Sequence, residues 1–153
     1  EHVYPMSWAM RAVGCNNRDE CRRHSRRFNQ IESDMHNFYP SLKEINKLRG
    51  SAPFGIVKGE ARKFGQCDFE LDLKQRIVEP APASRGNIAR AMFYMMDSYG
   101  LKIFQRQAEL LQRWHRDDPP DDWEMRRNDI IDKLQSTRNR FIDDPNAVEK
   151  LRF

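Results

Sequence analysis

Residues 68–100, DFELDLKQRIVEPAPASRGNIARAMFYMMDSYG, carry two kinds of regular structure in one passage. In 68–73 the alternation is strict, with Phe69, Leu71 and Leu73 on one side and Asp68, Glu70 and Asp72 on the other. A period of two predicts a half-buried antiparallel strand whose acids face solvent. Pro80 and Pro82 then break the chain. Ser84 predicts a capped helix start and Gly100 its end. Between them Ile88, Ala91, Met92, Met95 and Met96 recur at helical spacing, and a methionine stripe of this kind reads as core.

The flanks extend the pattern. Val3 and Tyr4 before Pro5 predict a short strand within residues 1–9 that Pro5 ends. Residues 10–24 read as loop, and 25–33 as a short helix carrying Phe28 and Ile31. Residues 40–48 predict a helix with Leu42 and Ile45 on one side, stopped by Gly50. Residues 51–66 read as loop, with strand character around Ile56 and Val57. Ala108, Leu111 and Trp114 predict a helix from Phe104 to Trp114. After the Pro119–Pro120 turn, Asp121 or Asp122 starts another, with Trp123, Arg127, Ile130, Ile131 and Leu134 on its inner face. The fold class that follows is α+β: one mostly helical domain over 1–153 with a small antiparallel sheet.

Composition narrows the function classes. A chain of 153 residues suits one core, and 39% hydrophobic with 33% charged residues is a globular profile. No apolar run approaches the roughly 20 residues that span a bilayer. The chain opens at Glu1 without an initiator Met, from which a preceding segment is expected. The net charge of +4 permits nucleic-acid binding without demanding it. Its distribution says more: Arg11, Arg18, Arg22, Arg23, Arg26 and Arg27 crowd the N-terminal third, while Asp117, Asp118, Asp121, Asp122 and Glu124 form an acidic loop and helix start. Of the cysteines, Cys15 and Cys21 lie close in a polar stretch. A short disulfide loop is the better reading for an exported protein, and a zinc site lacks a second pair at ligand spacing. Cys67 is left over.

Five blocks, in order, resemble the endonuclease I family over nearly the whole chain. They are EHVYPMSW at 1–8, IESDMHNFYP at 31–40, FGQC at 64–67, RGNIARAMFYM at 85–95 and QSTRNRFIDDP at 135–145, with Asn46 in the helix after the second block. The resemblance implies a ββα-metal active site in a nuclease with little sequence preference. His2 is then the general base, since a neutral imidazole accepts a proton from water near neutral pH. Glu1 and Asn46 hold one Mg²⁺, with Mn²⁺ or Ca²⁺ able to substitute in binding; carboxylate and amide oxygens are suitably hard donors. Arg18 clamps a phosphate with its two-pronged guanidinium, and Arg22 or Arg23 are alternatives. Glu32 matches an acid that helps to position the histidine. Neighbours on a strand point to opposite faces, so Glu1 and His2 can share a site only around the strand edge or on a distorted backbone.

The remaining chemistry-bearing residues read as structural. His36 is expected beside the site as a hydrogen-bonding residue, His24 and His115 on the surface, and Trp8, Trp114 and Trp123 in the core. Arg85 and Arg90 could reach DNA, although an Arg on a helix flank is more often structural or solvated. The expected function is metal-dependent hydrolysis of DNA and RNA, contacted through backbone phosphates and cut to leave 5′-phosphate ends. The compartment implied is the periplasm or the cell exterior. The alternative from another class is a basic, non-catalytic nucleic-acid-binding module that keeps the fold.

Overall fold

The computed structural model describes residues 1–59 and 63–153; the part of the predicted 51–66 loop at 60–62 lies outside them. Pro5 ends the extended start of the chain and α1 (Met6–Val13) follows at once, closed by Gly14 at φ 80°. The predicted N-terminal strand shrinks to one antiparallel bridge, His2 with Phe38. The predicted loop at 10–24 is mostly helix: α1 ends there and α2 (Arg18–His24) begins on Asn17, whose side chain accepts the Glu20 amide. α2 is polar all round and so has no apolar period to betray it; its signal is the Asn-x-x-Glu start.

α3 (Arg26–Ser33) starts on the Ser25 hydroxyl and buries Phe28 and Ile31, as expected. After a 3₁₀ turn at Met35–Asn37 comes α4 (Lys43–Arg49), stopped by Gly50. Around Ile56 and Val57 there is no strand; instead Phe54 makes a single parallel bridge to Val78.

β1 (Phe69–Asp72) pairs antiparallel with β2 (Ile77–Pro80) in the register Phe69–Pro80 and Leu71–Val78. The alternation is only half kept. Phe69 is buried, yet so is Glu70, and Leu73 is 79% exposed. The ladder stops at Asp72, whose carboxylate takes the amides of Lys74 and Gln75 and closes the turn before Leu73 can face the core. Pro80 ends β2 at a strand terminus, where its missing N–H costs no ladder bond.

α5 (Arg85–Tyr99) is the axis of the core. It packs on α6 (Gln105–Asp117) and buries Ala89, Ala91, Met92, Phe93 and Met95. Ser84 does not cap it, because Ser84 ends a 3₁₀ turn in helical geometry; the Asp118 carboxylate takes the Gly86 amide instead, at 2.8 Å. A side chain at Gly86 would have its Cβ 1.9 Å from the Asp118 carbonyl oxygen. α7 (Asp122–Gln135), capped by Asp121, contradicts its apolar period. It buries Glu124, Asn128 and Ile131, while Trp123, Ile130 and Leu134 are 46%, 55% and 66% exposed. α8 (Arg140–Asp143) and a 3₁₀ turn at Pro145–Lys150 finish the chain. The helices and this single hairpin make the fold α+β, around one core cluster.

The reason for the polar inner face of α7 is Arg90. Its guanidinium is fully buried, pairs with the Glu124 carboxylate through Nε and Nη2, and donates to the Asp118 carbonyl at 2.6 Å. Glu124 therefore has to point inward, which rotates the apolar stripe towards solvent. Arg90 is accordingly structural and closed off from solvent, and Arg85 pairs with Glu79 at 2.7 Å.

Candidate active site

Two arms, residues 1–3 and 37–39, run antiparallel beside each other, the second leaving the 3₁₀ turn at Asn37. The Glu1 carbonyl accepts the Tyr39 amide at 3.0 Å, the Glu1 amino group donates to the Tyr39 carbonyl at 2.8 Å, and Val3 N–H reaches the Asn37 carbonyl at 2.9 Å. α4 follows the second arm, so arm, arm and helix stand in ββα order although neither arm is a regular strand. Asn37 reinforces the pairing: its amide oxygen accepts from Tyr4 N–H at 2.6 Å and its amide NH₂ donates to the Tyr4 carbonyl at 3.1 Å. The second arm is anchored to the core through buried Asp34, which accepts the hydroxyls of Tyr94 and Tyr99 and the side-chain amide of Gln135.

From the first arm His2 reaches towards α3. Its Nε2 lies 3.0 Å from the main-chain carbonyl of Glu32, and the ring stands edge-on to Phe38 at 4.7 Å. A carbonyl oxygen only accepts, so Nε2 carries the hydrogen and Nδ1 keeps a lone pair. Burial pushes the His2 pKa below 6.5, and the charges of Arg18 and the N-terminus push the same way. The Glu32 carbonyl bond and carboxylate oppose them without reversing the shift. His2 is therefore a neutral base at neutral pH.

Glu32 stands beside His2 and meets it through the main chain. Its carbonyl, not its carboxylate, orients His2. The carboxylate instead accepts Nε of Arg18 on one oxygen and Nε of Arg22 on the other, the latter at 2.7 Å. Arg18 and Arg22 are one turn apart on α2, on the same face. Burial alone would raise the Glu32 pKa, but the bonds from Arg22 and Arg18 outweigh it and hold the carboxyl below its usual range. Arg23 bonds through Nε to the Asp19 carbonyl and not to Glu32. Each of Arg18 and Arg22 keeps about half its side chain in solvent, at 44% and 50%, so terminal N–H groups remain for a phosphate.

α2 is tied to the preceding chain by the Cys15–Cys21 disulfide, whose inner end at Cys21 is buried; Cys67 is free and half-buried.

Glu1 turns the other way, towards α4. Its Oε1 accepts Nη1 of Arg49 at 2.7 Å. The same guanidinium donates to the carbonyls of His2 at 2.9 Å and Val3 at 2.6 Å, and lies 4.4 Å above the Phe54 ring. Arg49 is buried, and burial draws its pKa down while Glu1 supports its charge. Sequence gave no hint of this role, because a cation in the last turn of a helix ordinarily serves the helix dipole in water. Asn46 stands one turn before Arg49. Its side chain is exposed and makes no hydrogen bond among the described residues, to Glu1 or to any other group. Beside Glu1 a cleft of about 450 Å³ opens, walled by Tyr39, Leu42, Ile45 and Trp123; His2 does not line it.

The donor set suits a hard divalent cation. Glu1 lines the cleft and offers its second carboxylate oxygen, and the cleft leaves room for the several waters that Mg²⁺ retains; Asn46 has an unengaged amide oxygen but is not among the residues that line the cleft. Among the described residues no three His, Cys, Asp or Glu side chains gather as a metal cluster.

The other histidines divide. His24 is exposed. His36 is buried, bonds through Nε2 to the Thr137 carbonyl at 3.1 Å and stacks on Tyr94, a structural role as expected. His115 departs from its expected place on the surface. It is buried, donates from Nε2 to the Pro145 carbonyl at 2.9 Å and turns Nδ1 to Arg90.

With this geometry in place, comparison with known proteins is decisive. The Endonuclease I family model matches residues 1–146, which include both arms, α2 to α4 and most of the core. The chain belongs to the endonuclease I family. An extracellular deoxyribonuclease of Aeromonas hydrophila is 38% identical to this endonuclease I chain over 147 residues, which cover 94% of it and 64% of the Aeromonas protein. A periplasmic deoxyribonuclease of the same organism is also 38% identical over 147 residues, covering 94% and 62%. An extracellular ribonuclease of Bacillus subtilis (strain 168) is 28% identical over 137 residues, covering 78% and 46%. This endonuclease I chain thus spans less than two thirds of the length of the relatives it matches.

Proposed function

We propose that the protein is a Mg²⁺-dependent, sequence-non-specific endonuclease that hydrolyses DNA and RNA to 5′-phosphate ends in the periplasm or outside the cell. The observation that carries this reading is the pairing at Glu32. Its carbonyl orients a neutral histidine, and its carboxylate holds two arginines beside that histidine. A base and a phosphate clamp are thereby set by one residue. The family supports nucleic-acid hydrolysis, and the relatives include both a deoxyribonuclease and a ribonuclease. Export accords with their extracellular and periplasmic names and with the disulfide.

In the proposed mechanism, Arg18 and Arg22 donate N–H bonds to non-bridging oxygens of the scissile phosphate, while Glu32 keeps both guanidinium groups from swinging into solvent. Water attacks phosphorus as His2 Nδ1 takes its proton. The P–O3′ bond breaks, the phosphate stays on the 5′ oxygen of the nucleotide that follows the cut, and the 3′ oxygen recovers a proton from solvent. Glu1 and Asn46 would hold Mg²⁺, which supplies positive charge where negative charge builds on the phosphate and the leaving oxygen. Phosphate contacts fix register without reading bases, which is the expected basis of the missing sequence preference.

The test is plasmid degradation with Mg²⁺, repeated with chelator and with His2→Ala. Cleavage should need the metal, and His2→Ala should lose about 10²–10⁴-fold of the rate while still binding metal. Undiminished cleavage by His2→Ala removes His2 from the mechanism. A wild-type chain that binds DNA but never cuts it leaves the binding-module alternative.

A further inference from the structure

A larger groove lies behind Arg49, away from His2. It has a volume of about 1120 Å³, and its walls come from α1, the end of α4, the β1–β2 turn and the segment before α6. Its apolar surface is unusually bare: Leu73 is 79% and Phe104 74% exposed, and Trp8 adds a half-buried ring that stands edge-on to Tyr4. Its rim is cationic. Arg11, Arg76 and Lys102 line it, and none of them has a carboxylate partner among the described residues. No carboxylate is found among the described lining residues either. Asp72, next to Leu73, turns its side chain back onto the Lys74 and Gln75 amides. Arg76 holds a left-handed backbone, φ 54°, unusual for a residue other than glycine.

We propose that this groove is a second nucleic-acid site, which takes a single-stranded segment with its bases on Phe104 and Leu73 and its phosphates on Arg11, Arg76 and Lys102. Charge complementarity calls for a polyanion. The exposed ring and leucine call for a polyanion that also has bare flat apolar faces. In a duplex those faces are stacked away, whereas an unpaired strand offers one at every nucleotide. Arg49 lines this groove and bonds Glu1 at its other end, so a strand lying here leads towards the proposed metal ligand. The proposal rests on the nuclease reading for its choice of polyanion, but its test does not depend on turnover.

Binding of a fluorescent oligothymidine is followed by anisotropy in chelator, for the intact chain, Phe104→Ala, and Arg76→Ala/Lys102→Ala. Phe104→Ala should weaken binding about tenfold, the loss of one stacked base. The double variant should weaken it and lower the slope of log affinity against log salt by roughly 1.4, about 0.7 for each lost phosphate contact. Both variants should hydrolyse bis(p-nitrophenyl) phosphate with Mg²⁺ at the wild-type rate, since so small a diester needs only the His2 site. Oligothymidine affinities within twofold of wild type for both variants overturn the groove. So does a polyglutamate peptide that competes as well as oligothymidine, for then the groove reads charge alone. A wild-type chain that leaves the small diester intact while both variants lose oligothymidine binding overturns the nuclease reading and upholds the groove.

Discussion

His2 is held neutral chiefly by its loss of water, with the nearby positive charges adding to that effect. The consequence for rate can be signed. The base form is the neutral one, and a pKa below 6.5 keeps more than half of it at pH 6.5. kcat/KM should therefore stay above half its plateau at pH 6.5 and fall only below it; an acid limb centred at or above 6.5 would contradict the burial argument. Asn46 gives a second test. Asn46→Asp keeps an oxygen donor and Asn46→Ala removes it, so Ala should raise the Mg²⁺ needed for half-maximal cleavage far more than Asp. Calorimetric Ca²⁺ titration, free of turnover, should rank the three proteins in the same order, and superimposable titrations would reject Asn46 as a ligand. At this scale the block order singled out His2, Glu1, Arg18, Glu32 and Asn46 as candidates, because short motifs survive in linear form. It missed which atom of Glu32 meets His2, and it missed Arg49. A main-chain contact leaves no mark on residue type, and a buried arginine is spelled like a solvated one.

α2 shows what an element needs when it has no apolar face. Seven residues rich in charge do not form a stable isolated helix. The Asn17 cap and the Cys15–Cys21 bond substitute for packing. Replacing both cysteines by serine should cost about 2 kcal/mol in the chain-entropy model. The larger effect should be on substrate affinity, because Arg18 and Arg22 would lose their common platform. A non-reduced digest should yield a Cys15–Cys21 peptide with Cys67 unbonded, and a thermal melt of the double variant that matches wild type would show the bond idle. The same scale explains where periodicity failed. α3 and α6 were legible because their buried faces are apolar. α7 was legible in extent, from Asp121 onward, but not in orientation, since one inward ion pair outranks three apolar side chains when the alternative is an unpaired guanidinium in the core. β2 went unread because Pro80 looks like a breaker and is in fact a strand terminus.

Across the whole molecule three half-buried or buried imidazoles, His2, His36 and His115, share a lowered pKa, each through burial first. For such groups the unfolded chain takes up protons near 6.5 that the folded chain refuses. Stability is therefore full above 6.5 and is lost as pH falls through the folded pKa values. The melting temperature should be level between about pH 7 and 8 and drop below 6.5. A melting temperature that rises on acidification would mean that the histidines gain partners on protonation, against the contacts described. The overall class, one helical body with a small hairpin, was legible because length, composition and the passage from 68 to 100 all agree on it. The groove behind Arg49 was not, since its walls come from four separate stretches of chain.

Arg49 also bears on how the molecule breathes. The first arm has only a handful of ladder bonds, and the carbonyls of His2 and Val3 are tied instead to one guanidinium carried by a seven-residue helix. Such a tie opens as a unit: when α4 frays, the arm that bears Glu1 and His2 is released with it, while α5 and α6 stay closed. Amide hydrogen exchange should accordingly group Val3 and Tyr39 with α4 in one sub-global opening, well below the protection of α5. Arg49→Lys should speed exchange at Val3 and Tyr39 together and leave α5 untouched; acceleration spread evenly over the chain would mean that the arms open only when the whole protein does.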